Sequence, residues 1–339
     1  MSRAADAPGE FVGVNWASSR LQAYRIAADG TAIDEFASTA GVSALDRAGM
    51  AEAMDALAAR WPGHGPVYAC GMIGAAMGWT EVAYAPAPAP AAAGALRDAG
   101  ASARIGSVEV RIAPGVACRR AFDDAPDVMR GEEVALIGLL AARPGLDGVV
   151  ALPGAHTKWA RVAGGEVVEF FTSMSGEMFA RLTAAGLLAS VVEGEAADGA
   201  AFRRGVAAGR ARRLSLGTLL FGARALVVRG ELGRTDAASY LRGLLIGSEI
   251  ADACAIHPDM AASMVDLIGD EPLCRLYAAA LASAGVASRR VDPRTATLHG
   301  FLALHAAGAP LRHTVPSGHP DPLGVRPDRS GSSMNGEQA

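Results

Sequence analysis

The sequence holds a single lysine. Of its 31 basic residues all but Lys158 are arginine, and side-chain amides are nearly as scarce, with only Asn15, Asn335, Gln22 and Gln338. In such a chain Lys158 and the Asn15/Gln22 pair are each worth testing for a local chemical role. Cysteine is sparse too. Cys70, Cys118, Cys254 and Cys274 lie far apart, which excludes a zinc ribbon and argues against a secreted disulfide framework, so a reducing cytoplasm is the expected setting. Long apolar runs are missing: the longest, such as residues 134–142, reach only about half of the roughly 20 residues that span a membrane. Residues 1–10 contain no basic region followed by an apolar stretch, so no signal peptide is expected. Neither charge sign dominates, with 31 basic against 35 acidic residues, which gives no electrostatic reason to expect nucleic acid or an anionic membrane as partner. Small molecules are the expected partners.

What is present is length and repetition. The 339 residues suit two domains of ordinary size, and a chain this long buries roughly 75% of its unfolded surface without disulfides or structural metal. Residues 11–17, 21–27 and 31–38 read as three strands, with Asp29-Gly30 as a hairpin turn. A related pattern recurs in the second half: residues 149–152, 158–162 and 166–172, with a Gly164-Gly165 turn. Each copy has a turn of small residues after its first strand, Ala17-Ser18-Ser19 and then Gly154-Ala155-His156-Thr157. Helical patterns follow in residues 46–60, 176–188, 202–228 and 236–255. The expectation is a duplicated α/β fold of two lobes facing a cleft. Its division is set near Asp127: a flexible start at 1–10, a first lobe at 11–127, a second at 128–310 and a disordered tail at 311–339. The alanine- and proline-rich residues 85–93 read as a surface loop of the first lobe.

Small-residue turns between strands let backbone N–H groups approach an anion, and hydroxyls add donors. Two such turns at matching points, the second beside the only lysine, point to the phosphates of a nucleotide. Residues 265–273 read as strand, glycine turn and helix, with Asp270 as N-cap and Pro272 in the first turn. Acids at such a junction suit ribose or adenine better than phosphate. Leu241, Leu245 and Glu249 share one helix face, so Glu249 sits on an apolar stripe and needs partners, either as a structural tie or within the site. The densest polar run is 127–133 (DVMRGEE). Glu132 and Glu133 suit the first turn of a helix; Arg130 does not, and could instead grip a substrate carboxylate, with Asp127 as base for a hydroxyl.

These segments, together with 152–159 (LPGAHTKW), 174–178 (MSGEM), 71–79 (GMIGAAMGW), 243–249 (GLLIGSE) and the Ile268-Gly269 junction, resemble the 2-dehydro-3-deoxygalactonokinases in the same order over residues 12–307. The resemblance implies an actin-like, hexokinase-type (ribonuclease H-like) fold. The implied reaction transfers the γ-phosphoryl group of ATP, with Mg2+, to the C6 hydroxyl of 2-dehydro-3-deoxy-D-galactonate. Its motif positions place Asn15, Ser18, Ser19, Gly154, His156, Thr157 and Lys158 at the phosphates and Gly269 with Asp270 at the nucleoside. Trp79, Arg130, Glu132 and Glu177 fall to the sugar acid, with Asp127, Arg130 and Glu132 catalytic. Asn15 is the magnesium position, acting through water. A homodimer is the candidate assembly.

The chain also departs from the family pattern. Asn15 and Ala17 stand where aspartate and glycine are expected, Gln22 where arginine is, Ala155 where threonine is, and Val134-Ala135 where Thr-Gln follows the acidic pair. These changes gather mostly at the nucleotide and metal end. They leave a second reading open, in which the chain is a weakened or inactive relative that binds a sugar acid as a sensor or partner protein.

Overall fold

The computed structural model describes residues 9–90 and 93–307; residues 1–8 of the expected flexible start and the expected tail at 311–339 lie outside these. Turn chemistry sets the first motif. β1 (Phe11–Trp16), β2 (Leu21–Ile26) and β3 (Ala32–Ser38) form an antiparallel meander. Gly30 turns the β2–β3 hairpin at a φ of 87°, and Asp29 accepts from the Thr31 amide at 2.9 Å. Asp46 caps α1 (Arg47–Arg60) by accepting from Gly49 N at 2.8 Å. The chain then returns as β4 (Val67–Gly71), parallel to β1.

Residues 85–90 of the alanine- and proline-rich stretch are not a surface loop, and residues 91–92 lie outside the described residues. Residues 85–90 contain two short strands, β5 (Ala85–Pro86) and β6 (Ala89–Pro90), and Ala89 is buried. After α2 (Ala93–Asp98), β7 (Ala101–Ile105) and β8 (Val108–Ile112) complete a sheet of order β3-β2-β1-β4-β8-β7. β9 (Val116–Arg119) and β10 (Pro126–Met129) join β5 in a small three-stranded sheet, and α3 (Glu132–Ala142) follows. Asp127, the division set from the sequence, lies within β10.

In the second half β11 (Gly148–Leu152), β12 (Thr157–Ala163) and β13 (Glu166–Ser173) repeat the meander. Gly164 and Gly165 both take positive φ, 60° and 78°, as a two-residue hairpin of this type demands. Helices α4 (Ser175–Ala184), α5 (Gly186–Ala189), α6 (Ala200–Arg210), α7 (Leu216–Val228) and α8 (Arg234–Ile256) precede β14 (Met264–Ile268), α9 (Glu271–Ala282), β15 (Ala287–Val291) and α10 (Pro293–Ala306). The sheet order is β15-β14-β11-β12-β13-β6. Its first five strands repeat the β3-β2-β1-β4-β8 arrangement in reverse listing, two parallel strands beside a three-stranded meander, so the chain has the expected duplicated, actin-like α/β fold. β6 reaches across to pair with β13, and thereby straps the two halves together.

Two expected helices are broken. The segment 176–188 divides at Gly186, whose φ is 85°. The segment 202–228 divides between α6 and α7, where Arg212 takes a φ of 49° and Ser215 starts a new helix by accepting from Thr218 N. Between the lobes α3 crosses α10 with almost no side chain at the crossing: a Cβ on Gly138 would stand 1.9 Å from Ala296 O, and one on Gly300 2.0 Å from Val134 O. α10 also lays Phe301 on Gly13 of β1. The two helices are thus fixed against both the first sheet and each other, with their cleft-facing ends held in place.

Candidate active site

The carboxyl ends of β1, β11 and β14 open on one cleft of about 480 Å3, the place where open α/β sheets bind ligands. Its first wall is the turn from β1 to β2, where Asn15, Ala17, Ser18, Ser19 and Arg20 line the space. Val42 N and Ser43 N donate to the carbonyls of Ala17 and Ser18 and hold this turn from behind. The amides of Ser18 and Ser19 have no backbone partner among the described residues.

The facing wall is the turn from β11 to β12. Both turns hold four residues, Ala17 to Arg20 in one and Pro153 to His156 in the other, so the sequence repeat becomes a spatial pair. α4 buttresses the second turn. Gly176 packs so closely that a Cβ would lie 2.0 Å from Gly154 O, Glu177 N donates to Ala155 O at 2.9 Å, and the Glu177 carboxylate meets His156 Nε2 at 2.6 Å. The His156 imidazole, with Arg181, holds the Glu177 carboxyl below its usual range.

The junction after β14 touches the same turn. A Cβ on Gly269 would come within 3.3 Å of Pro153 O. Asp270 precedes α9 as expected but makes no side-chain cap bond, so its carboxylate is not consumed by the helix it starts. Across the cleft, the N-terminus of α3 presents Arg130, Gly131 and Glu132. Gly131 needs its φ of 112° and packs 3.3 Å from Gly71 Cα, measured from where a Cβ would stand. The Arg130 guanidinium donates to Val82 O at 2.7 Å and stacks 4.2 Å above the Tyr84 ring, while Nε and Nη1 have no hydrogen-bond partner among the described residues.

Several residues chosen from the sequence lie elsewhere. Thr157 and Lys158 belong to β12, not to the turn, and both are buried. Lys158 Nζ donates to Val128 O at 2.8 Å and Thr172 Oγ1 at 2.9 Å. Asp127 accepts from Thr172 N and Oγ1, at 2.8 and 2.6 Å, and does not line the cleft. Trp79 packs against the first-lobe core with Arg47 stacked 4.0 Å over its ring. Glu177 is tied to His156 of the second turn and does not itself line the cleft, whereas Arg130 and Glu132, with which it was grouped, do. The sequence reading missed Thr297 and Pro293, which α10 brings to the cleft from the far end of the chain. It also missed Tyr277 and Ser175, which bind Glu249 behind the second turn; no local pattern links these positions.

The duplicated two-lobed topology is that of the actin-like ATPase fold, and the family and relatives that match the chain set its class: an ATP-dependent carbohydrate kinase. The model of the 2-keto-3-deoxy-galactonokinase family matches residues 15–304, and the chain belongs to that family. It is 36% identical over 310 residues to a Rhizobium meliloti (strain 1021) protein named 2-dehydro-3-deoxygalactonokinase DgoK1, covering 89% of this chain and 99% of that one. To the 2-dehydro-3-deoxygalactonokinase of Escherichia coli (strain K12) it is 30% identical, over 71% of this chain and 79% of the relative. A crystal structure described as a 2-dehydro-3-deoxygalactonokinase protein from Sinorhizobium meliloti superposes with a TM-score of 0.78 at 34% identity, covering 88% of this chain and 97% of that one. These relatives lend no support to the non-catalytic alternative. No helix among the described residues is long and apolar enough to cross a membrane.

Proposed function

We propose that this kinase transfers the γ-phosphoryl group of ATP to the C6 hydroxyl of 2-dehydro-3-deoxy-D-galactonate or a close 2-keto-3-deoxy sugar acid. The observation that carries this reading is the pairing of the two turns, one from each lobe, in a cleft that also holds Arg130 and the positive end of α3. Phosphoryl transfer asks a protein mainly for positioning and charge neutralisation. In this reading the backbone and side chains of Ser18, Ser19, Gly154 and His156 meet the phosphates, and Gly269 with Asp270 meets the nucleoside. Arg130, whose Nε and Nη1 are buried without partners among the described residues, grips the sugar-acid carboxylate, and Glu132 orients its hydroxyls. Asp127 and Lys158 act from behind: they tie β10, which leads to Arg130, to β12 and β13.

Magnesium fits this cleft only as an ion that ATP brings. The described residues contain no cluster of three His, Cys, Asp or Glu side chains suited to a metal, whereas magnesium on a nucleotide needs just one or two protein groups besides its waters. In this reading Asn15, which lines the cleft, would hold such an ion through water, and the ion would neutralise phosphate charge. The four cysteines, all free, suit a cytoplasmic setting.

A coupled ATP-consumption assay across a panel of 2-keto-3-deoxy sugar acids, with and without magnesium, tests the reading. Turnover on the galactonate-derived acid, with the product phosphorus coupled to the C6 protons by NMR, is expected. Phosphorylation at another hydroxyl, or turnover only on neutral sugars, overturns it.

A further inference from the structure

Behind the second turn runs a buried hydrogen-bond chain. Glu249, 3% exposed in α8, accepts from Trp159 Nε1 at 2.7 Å, from the Tyr277 hydroxyl at 3.0 and 3.1 Å, and from Ser175 Oγ. Tyr277 Oη lies 2.8 Å from Thr157 Oγ1, which accepts from Gly154 N at 3.4 Å. Burial raises the Glu249 pKa; in its ionised form the carboxylate has no proton to give and so sets the direction of every bond that ends on it. The Tyr277 hydroxyl donates to Glu249, the Thr157 hydroxyl donates to Tyr277, and the Thr157 oxygen is left to accept from Gly154.

A second arm reaches the same turn. Ser175 opens α4, and the next two residues hold Gly154 and Ala155 through the close packing of Gly176 and the Glu177 amide, while the Glu177 carboxylate holds His156. Tyr277 belongs to α9, the helix that starts at the Gly269-Asp270 junction. One carboxylate therefore anchors the turn and the junction on the nucleotide side of the cleft. Burying it is costly, and an apolar side chain of similar volume would join the same helices without that cost. An apolar side chain could not, however, orient the Thr157 hydroxyl.

We propose that Glu249 is a positioning residue for phosphoryl transfer, holding the Gly154-Ala155-His156 turn in its nucleotide-binding shape through Tyr277 and Thr157 on one side and Ser175 on the other. This rests on the reading of that turn as a phosphate site. Glu249→Gln keeps the volume and replaces one acceptor oxygen by a donor; Tyr277→Phe removes a single hydroxyl from the relay. Steady-state kinetics, calorimetry with a non-hydrolysable ATP analogue and thermal unfolding are measured for both variants and for their combination. Glu249→Gln is expected to raise the KM for ATP and the analogue's Kd tenfold or more, with the KM for sugar acid within twofold. Tyr277→Phe moves the same constants in the same direction, and the double variant is no worse than the worse single one, because the groups act as a unit. A lowered Tm with the KM for ATP inside twofold overturns the proposal. If Glu249→Gln does not fold, Tyr277→Phe decides by the same criterion. Ala155→Glu, which sets a negative charge in the turn, separates the two ideas. If it leaves ATP affinity intact, the phosphate-site reading fails; if it abolishes ATP binding while the Glu249 and Tyr277 variants bind normally, only the positioning role fails.

Discussion

A lone lysine in an arginine-rich chain suggests a phosphate contact, yet strand alternation decides where it points. Lys158 is the second residue of β12, 6% exposed, with its ammonium on Val128 O and Thr172 Oγ1. Lys158→Met is expected to cost about 2 kcal/mol of stability, the worth of hydrogen bonds to a charged group, and to leave the Kd for an ATP analogue within twofold. Urea unfolding and calorimetry check the pair of outcomes, and a tenfold loss of affinity at unchanged stability would put the ammonium on the phosphates after all. Glu133 carries a different consequence. Burial, reinforced by the neighbouring Glu132 charge, pushes its carboxyl from 4.5 to about 8, and Oε1 has no partner among the described residues. The folded chain therefore keeps this proton while the unfolded chain loses it above its ordinary value. Stability should fall as pH rises from about 4.5 to about 8, by an upper limit on the order of 5 kcal/mol, and level off beyond. Glu133→Gln removes the titration, so its advantage over the natural protein in urea unfolding should grow from pH 5 to pH 8.5; parallel stabilities at the two values would show that the folded chain does not hold the proton.

Among elements, the rare amides turn out to be partners: Asn15 and Gln22 stand directly opposite in the β1–β2 pair, a distance at which side chains interact. Where the resembling family has an acid and an arginine, this chain has two neutral groups in register, so the loss of one charge is matched by the loss of the other. Asn15→Asp alone should therefore lower the magnesium concentration needed for half-maximal turnover, at a stability cost of about 1 kcal/mol for an unpaired, half-buried charge, and adding Gln22→Arg should restore stability while keeping the gain. Magnesium titrations of kcat beside thermal unfolding decide it, and an unchanged requirement would move the metal away from Asn15. The strands themselves were legible because their turns are local signals: Asp29-Gly30 and Gly164-Gly165 both form hairpins. β6 was not, since its pairing of Ala89 with Val167 and Pro90 with Glu166 depends on a strand from the other half of the chain. Helical periodicity likewise ran through the α6–α7 break, where a change of direction is set by Arg212 and the Ser215 cap.

For the molecule as a whole, duplication was the legible feature, and the two repeated turns at matching strand ends do line one cleft. What the sequence could not give was the layer behind those turns, where Thr157 meets Tyr277 across 120 positions and Asp127 bonds to Thr172 instead of facing substrate. The same two-lobed arrangement predicts how the ligands should influence one another. Ser18 and Ser19 come from the first sheet, Gly154 and His156 from the second, while Arg130 and Glu132 open the helix between them. On the proposed reading, ATP held by both turns is expected to draw the lobes together around the sugar acid, and a sugar acid bound between them is expected to favour the same closed state. Coupling of this kind is reciprocal and typically worth about 1–3 kcal/mol, or roughly 5- to 150-fold in affinity. Calorimetry in both orders should show a non-hydrolysable ATP analogue binding at least about fivefold more tightly at saturating sugar acid, and the sugar acid gaining the same factor from the analogue. Affinities that ignore the second ligand would mean that α3 and α10, locked at Gly138 and Gly300, hold the cleft in one shape and that binding involves no closure.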